Sequence, residues 1–263
     1  MNQFLSKPDW YIGLSGHLDF TLNERRVPGA PPFMRGLRAL FIADTHISHR
    51  TTDADLDAFV KRIGDIDADL ILWGGDFADT SEQALRLIAR LDRLKPCLGS
   101  FAAPGNNDRE AWPRLKGLKR ALAASGVRLL VNASEVLRLP GGDLVIAGID
   151  EYFLGAPNSR NLYLRESSPR RWRLLISHFP ILPENLPDLM LSGHTHGGQF
   201  NLLGLTPYSI GFERIFSRRH PPAYVAGLYA SGDTRLLVSK GIGASRIPLR
   251  IGVRPEIELL RFD

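Results

Sequence analysis

The sequence holds a single cysteine, Cys97, so no disulfide can form within the chain. That excludes the small disulfide-stapled class and fits a reducing, cytoplasmic setting. No apolar run qualifies as a membrane helix. The longest stretch free of Asp, Glu, Lys and Arg, Leu189 to Phe212, has the length but also holds two histidines, Gln199, Asn201 and Pro207. Such a polar load is costly in hydrocarbon. The first twenty residues contain Lys7, Asp9, His17 and Asp19 and lack the apolar core of a secretory signal. There is no internal repeat and no low-complexity tract. Charge is nearly balanced, with a net +5, which suits anionic partners such as phosphates, nucleic acid or acidic lipid without selecting one.

What is present is enough for one large core: 263 residues, 44% of them hydrophobic. Residues 1–36, broken by Pro28-Gly29 and Pro31-Pro32, are expected to be an irregular lead-in, and residues 37–263 a single domain. Strands are expected at 37–43, 69–73 and 98–103. Between and after them, apolar periodicity predicts helices at 54–66, 80–94 and 111–125. Thr80 and Gln83 have capping-box spacing. Strands alternating with helices imply parallel pairing through right-handed crossovers. After Val127 the pattern is mainly strands. The expected fold is α/β, a layered sandwich of two sheets with outer helices. Cys97 is expected to be a small buried strand residue.

Polar groups recur just past the expected strands. Ala43-Asp44-Thr45-His46 follows the first, Gly74-Gly75-Asp76 the second and Pro104-Gly105-Asn106-Asn107-Asp108 the third. The spacing of about 30 residues is that of a βαβ unit, so these groups should share the carboxyl edge of one sheet, where open α/β sheets bind ligands. Ser177-His178 and Gly193-His194-Thr195-His196 follow two later strands. Any one fragment could be an ordinary turn or surface histidine. Five of them in strand-end register, holding four of the seven histidines, point to a metal centre. Carboxylate and imidazole together suit manganese, iron or zinc better than calcium or magnesium, and a shared aspartate can hold two ions about 3.5–4 Å apart.

These motifs resemble those of the calcineurin-like metallophosphoesterases: Asp44-Thr45-His46, Gly75-Asp76, Gly105-Asn106-Asn107-Asp108, His178 and Gly193-His194-Thr195-His196. The tail, with Gly227-Leu228-Tyr229, Val238 to Gly243 and Arg254-Pro255-Glu256-Ile257, is similar to a bacterial membrane- or wall-associated branch that includes UDP-2,3-diacylglucosamine pyrophosphatases. The resemblance implies a four-layer αββα sandwich with two mixed sheets. It also implies two divalent metal ions, one held by Asp44, His46, Asp76 and His196. Asp76 would be shared with a second, held also by Asn106, His178 and His194. A water between the ions, acidified towards a pKa of about 7, would be the nucleophile for a phosphodiester or pyrophosphate bond. The substrate would be a phosphate-containing small molecule or lipid, such as a UDP-diacylglucosamine.

One position departs from the pattern. Asn107 stands where the family has a histidine credited with assisting the leaving group. An amide cannot deliver a proton near neutral pH, so substrates with stable leaving groups are expected. Asp108 normally supports that histidine, and Arg109 is expected to reach the phosphate in its place. Apolar groups and Arg214, Arg218 and Arg219 in residues 200–222 suggest a peripheral contact with the inner membrane face. His17 and His220 are expected at the surface, His49 in a loop and Trp73 in the core. A nuclease is the competing enzymatic reading, although no basic stripe with interleaved aromatics is visible. A metal-stabilised, non-catalytic scaffold is the third.

Overall fold

The computed structural model describes residues 11–14, 16–160, 162–163, 170–209 and 224–263. Along the chain run β1 (Ile12–Leu14), β2 (Thr21–Arg26), β3 (Arg38–Ile42), α1 (Asp53–Gly64), β4 (Leu70–Trp73), α2 (Ser81–Ile88), β5 (Ser100–Ala102), α3 (Asn106–Ala111), α4 (Lys116–Ala124) and β6 (Val127–Leu129). There follow β7 (Ala133–Leu139), β8 (Gly142–Gly148), β9 (Arg171–Ile176), β10 (Leu189–Ser192), β11 (Gly227–Ser231), β12 (Thr234–Val238), β13 (Leu249–Ile251) and β14 (Glu256–Arg261).

The strands form an α/β fold of two mixed six-stranded sheets. One has the order β2-β14-β3-β4-β5-β6, the other β11-β12-β10-β9-β8-β7, and β1 pairs with β13 in a small separate ribbon. β3 to β6 are mutually parallel, as are β8, β9, β10 and β12. The strand sequences explain the stacking. In β3, Ala39 and Phe41 enter the core between the sheets, while Leu40 and Ile42 face the helices. In β10, Leu189 and Leu191 enter that same central core, while Met190 faces outward. Strands buried on both faces have no polar side, hence their unbroken apolar runs. Helices α1, α2 and α4 lay Leu56, Phe59, Val60, Ile63, Leu87 and Leu118 on the outer face of the first sheet. The outer face of the second packs against loop residues Leu162 and Tyr163.

Several expectations shift. The helix expected over 80–94 ends at Ile88 and resumes as a 3-10 turn, Leu91–Arg93. Leu91 and Leu94 stay in the core, because their spacing of three also suits a 3-10 turn. The helix expected over 111–125 begins only at Lys116 as α4, and the short α3, which was not expected, precedes it. Pro113 lacks an N–H and forces Trp112 out of helical geometry, and Leu115 sits at φ 54°. The stretch expected to be irregular contains β1 and β2. Cys97 is exposed rather than buried, since β5 starts only at Ser100 and Cys97 lies in the connecting turn.

Candidate metal centre

Every strand bearing a motif ends on the same side. Asp44 and His46 follow β3, Asp76 follows β4 and Asn106 follows β5, while His178 and His194–His196 follow β9 and β10. The two sheets thus bring their carboxyl edges together. Asp44, His46, Asp76, His194 and His196 all have positive φ, between 41° and 69°. Non-glycine residues avoid that region, and clusters of such strain mark functional sites.

The side chains converge in a buried cluster. One ligand atom from each of Asp44, His46 and His196 lies within 4.8 Å of the other two, and the same holds for Asp44, Asp76 and His178. Asp76 Oδ2 is 3.4 Å from both His46 Nε2 and His178 Nε2. His196 Nε2 is 3.6 Å from Asp44 Oδ1. His194 Nδ1 is 3.0 Å from Asn106 Oδ1 and 3.3 Å from His178 Nε2. The structure therefore brings together all seven residues expected to bind metal.

The cluster fits a cation on two grounds. His46 Nε2 is buried without a hydrogen-bond partner, although it faces two carboxylates. Surrounding groups also hold several rings in a ligand-ready orientation. His178 Nδ1 donates to the Gly74 carbonyl at 2.7 Å, leaving Nε2 directed at Asp76. His46 Nδ1 meets Asp79 Oδ1 at 3.2 Å. Asn106 Nδ2 donates to Asn107 Oδ1 at 2.7 Å, turning Asn106 Oδ1 towards His194.

The electrostatics agree. Burial, then the nearby His178, pushes His194 down to about 3. Burial and the neighbouring His46 hold His196 well below the usual imidazole range. Both rings are thus in the neutral, metal-binding form. Burial would likewise depress His178, but the charges of Asp76 and Asp44 outweigh it and raise the ring to about 10. A pocket that pulls a proton this strongly is short of positive charge.

The residues expected to contact substrate are placed differently. Asn107 lies beside the cluster, with its backbone N–H on Asp76 Oδ1 at 2.8 Å and its side-chain amide 3.3 Å from His46 Nδ1. Asp108 is buried, and its two oxygens accept the amides of Gly105, Asp76 and Phe77 at 2.9, 2.8 and 3.1 Å. It ties the β4 turn to the β5 turn. Burial and the Asp76 charge push its carboxyl up to about 7 against those three donors. Arg109, expected at the phosphate, is held by Asp150. Its guanidinium forms a two-pronged pair with Asp150 and donates to the Pro113 carbonyl at 2.8 Å. The pull of a buried carboxylate explains the difference. His17 and His49 are exposed, and Trp73 is buried with Nε1 on Ser100 at 3.0 Å. Arg214, Arg218, Arg219 and His220 lie outside the described residues.

Sequence reasoning missed Asp79, Arg250 and the tail glycines. Buried Arg250 binds the carbonyls of Lys240 and Gly243 at 2.7 and 2.8 Å and reaches His196 Nδ1 at 3.2 Å. Its signal was a charge inside the apolar run Ile247 to Ile251. Gly241, at φ 65°, packs directly on Asp44, where an added Cβ would lie 2.6 Å from the aspartate Cβ. The tail motif noted in the sequence is therefore a wall of the site.

Comparison with known proteins agrees with this geometry. The family model "Calcineurin-like phosphoesterase" matches residues 37–198. The "Uncharacterized metallophosphoesterase YkuE" of Bacillus subtilis is 30% identical over 84% of this chain and 77% of its own length. "Phosphodiesterase YaeI" of Escherichia coli is 30% identical over 97% of this chain and 90% of its own. A Bos taurus "Transmembrane protein with metallophosphoesterase domain" is 27% identical; the match covers 91% of this chain and 56% of that protein. The chain belongs to the calcineurin-like phosphoesterase family, whose members use divalent metals, and is a hydrolase of phosphoric esters. No helix among the described residues is long and apolar enough to cross a membrane.

Proposed function

We propose that the chain cleaves phosphodiester or pyrophosphate bonds using two divalent ions, manganese first among them, held by Asp44, His46, Asp76, Asn106, His178, His194 and His196. The observation that carries this reading is Asp76 Oδ2, equidistant at 3.4 Å from His46 Nε2 and His178 Nε2 in a buried, cation-seeking cluster. When bound, such ions supply positive charge to the phosphoryl oxygens and lower the pKa of water. The chain's own groups do the rest. Gly74, Asp79 and Asn107 hold His178, His46 and Asn106 in orientation. The Asn107 amide can donate a hydrogen bond to a phosphoryl oxygen but cannot protonate a leaving group. The leaving group must therefore depart as a stable anion, which favours aryl diesters and pyrophosphates over alkyl monoesters.

The test is a substrate panel on Mn²⁺-reconstituted protein: aryl diester, aryl monoester, alkyl monoester, UDP-sugars with and without acyl chains, and DNA. Turnover of the aryl diester far above that of the alkyl monoester is expected. Equal turnover, or none, refutes the reading. The proposal extends to a peripheral membrane contact through residues 200–222. Leu202, Leu203 and Leu205 support it, at 61%, 85% and 59% exposure. Failure of the protein to bind anionic liposomes would remove that contact.

A further inference from the structure

The loops after β8 and β9 leave the same edge that carries His178 and His194. Between them lies a cleft of about 590 Å³ walled by Ile149, Tyr152, Pro157, Leu182 and Pro183. Its volume is in the range of a small-molecule site, and its lining is about half polar, with Asn158, Ser159, Arg160 and Glu184 beside the apolar residues. Aromatic rings connect it to the metal centre. Phe179 lies 4.5 Å from the His194 ring, Phe153 5.8 Å from it, and Tyr152 stands 6.1 Å from Phe179.

The cleft is built rather than incidental. Asp150 accepts the amides of Glu151 and Ala156 at 2.8 and 2.9 Å and is clamped by Arg109. Glu151 Oε2 accepts the amides of Phe153 and Leu154 at 2.8 and 2.6 Å. Asn132 Oδ1 takes those of Asp150 and Asn158 at 3.0 and 2.9 Å. These bonds fix residues 150–158, so little ordering is left for a ligand to impose. At the mouth, Arg160 and Glu184 lie 4.0 Å apart and cancel. Among the described lining residues there is therefore no excess positive charge for a second phosphate or a nucleic-acid strand. Tyr152 and the two prolines offer flat faces suited to a ring.

We infer that this cleft is the subsite for the organic group of the substrate, and that it takes an uncharged, ring-bearing group of aryl to nucleoside size while the phosphoryl group sits at the metal residues. The inference rests on the proposed reading of the metal centre. Tyr152 would line one side of the ring and Leu182 contact it.

Calorimetry on the Mn²⁺-loaded full chain tests this, with phenylphosphonate, hexylphosphonate and inorganic phosphate as probes. The intact chain should bind phenylphosphonate about tenfold more tightly than phosphate, as one good ring contact provides. Tyr152→Ala, and separately Leu182→Asn, should bring phenylphosphonate close to phosphate while phosphate itself shifts less than twofold. Equal binding of the two probes by the intact chain overturns the inference, as does a variant that weakens both alike. Preference for hexylphosphonate overturns the assignment to a ring. Diester turnover is measured separately, so its absence would defeat the proposed function while leaving the binding comparison to decide the cleft.

Discussion

Arg109 offers a sharp test of local structure against motif position. Its place after Asn107-Asp108 suggested a phosphate contact, yet its guanidinium holds Asp150, which is 3% exposed. Arg109→Met keeps most of the stem and removes the charge. Breaking a buried pair by removing one partner costs about 3–5 kcal/mol. Here Asp150 keeps two backbone amides, and the Arg109 side chain is 15% exposed, so the cost falls at or just below the bottom of that range, about 2–3 kcal/mol. For a chain of this size that lowers Tm by roughly 5–10 °C. The assay is urea unfolding followed by tryptophan fluorescence, alongside the inhibition constant for inorganic phosphate. Stability should fall while phosphate inhibition changes less than twofold. The double variant Arg109→Met/Asp150→Asn should lose less than the two single losses together, with a coupling of about 1–3 kcal/mol. Unchanged unfolding combined with phosphate inhibition weakened tenfold would refute the reasoning and return Arg109 to the substrate.

Three further outcomes are expected. Asp79→Asn weakens the hold on His46 and should reduce metal affinity about 10–100-fold by equilibrium dialysis while stability changes little; unchanged affinity would remove Asp79 from the site. Glu258, buried beside Glu256 and paired with Arg25, is pushed by burial from 4.5 up to about 7. Because the folded value is the higher one, its contribution to stability is complete below 4.5 and is lost as pH rises through about 7. Urea midpoints should therefore fall less steeply from about pH 5 to 8 in Glu258→Gln than in the native chain, and parallel profiles would count against this. Asn107→His introduces a group able to transfer a proton and should raise turnover of alkyl monoesters relative to aryl diesters by at least about tenfold, within the usual reach of general acid catalysis. An unchanged ratio would show that the leaving group does not depend on this position.

The central strands were legible because burial on both faces leaves a continuous apolar signature, as in Leu70-Ile71-Leu72-Trp73. The cluster was legible because parallel strands deliver polar groups to one edge at a regular interval. β2 was not, since Thr-Leu-Asn-Glu-Arg-Arg has almost no apolar pattern. Its neighbour β14 explains this: Asn23 bonds Glu256 at 2.7 Å and Arg25 grips Glu258 at 2.6 Å, so the ladder is polar on both strands. No local rule can show that when the partners are 233 residues apart. Asp150, 41 residues from Arg109, and Asp79, 33 from His46, were hidden for the same reason.

The glycines beside the clustered carboxylates have a steric reason. A Cβ on Gly105 would lie 2.1 Å from Asp76 Oδ1, and one on Gly193 2.2 Å from Asp44 Oδ2. Each carboxylate therefore lies against backbone that carries no side chain. Close approach alone would not turn the clustered side chains inward. The positive φ of Asp44, His46, Asp76, His194 and His196 does so, by reversing the chain just past each strand end. Each such residue costs on the order of 1–3 kcal/mol unless packing enforces it. Enforcement comes from other turns: Asp44 N–H donates to the Gly75 carbonyl at 3.0 Å, His46 N–H to the Asp76 carbonyl at 3.1 Å, and Gly243 N–H to the Asp44 carbonyl at 2.6 Å. The strained residues thus hold one another through three segments far apart in sequence. A lone Asp-x-His on a single strand would lack that support, which is why the spacing of the whole set, rather than any one motif, marked the site.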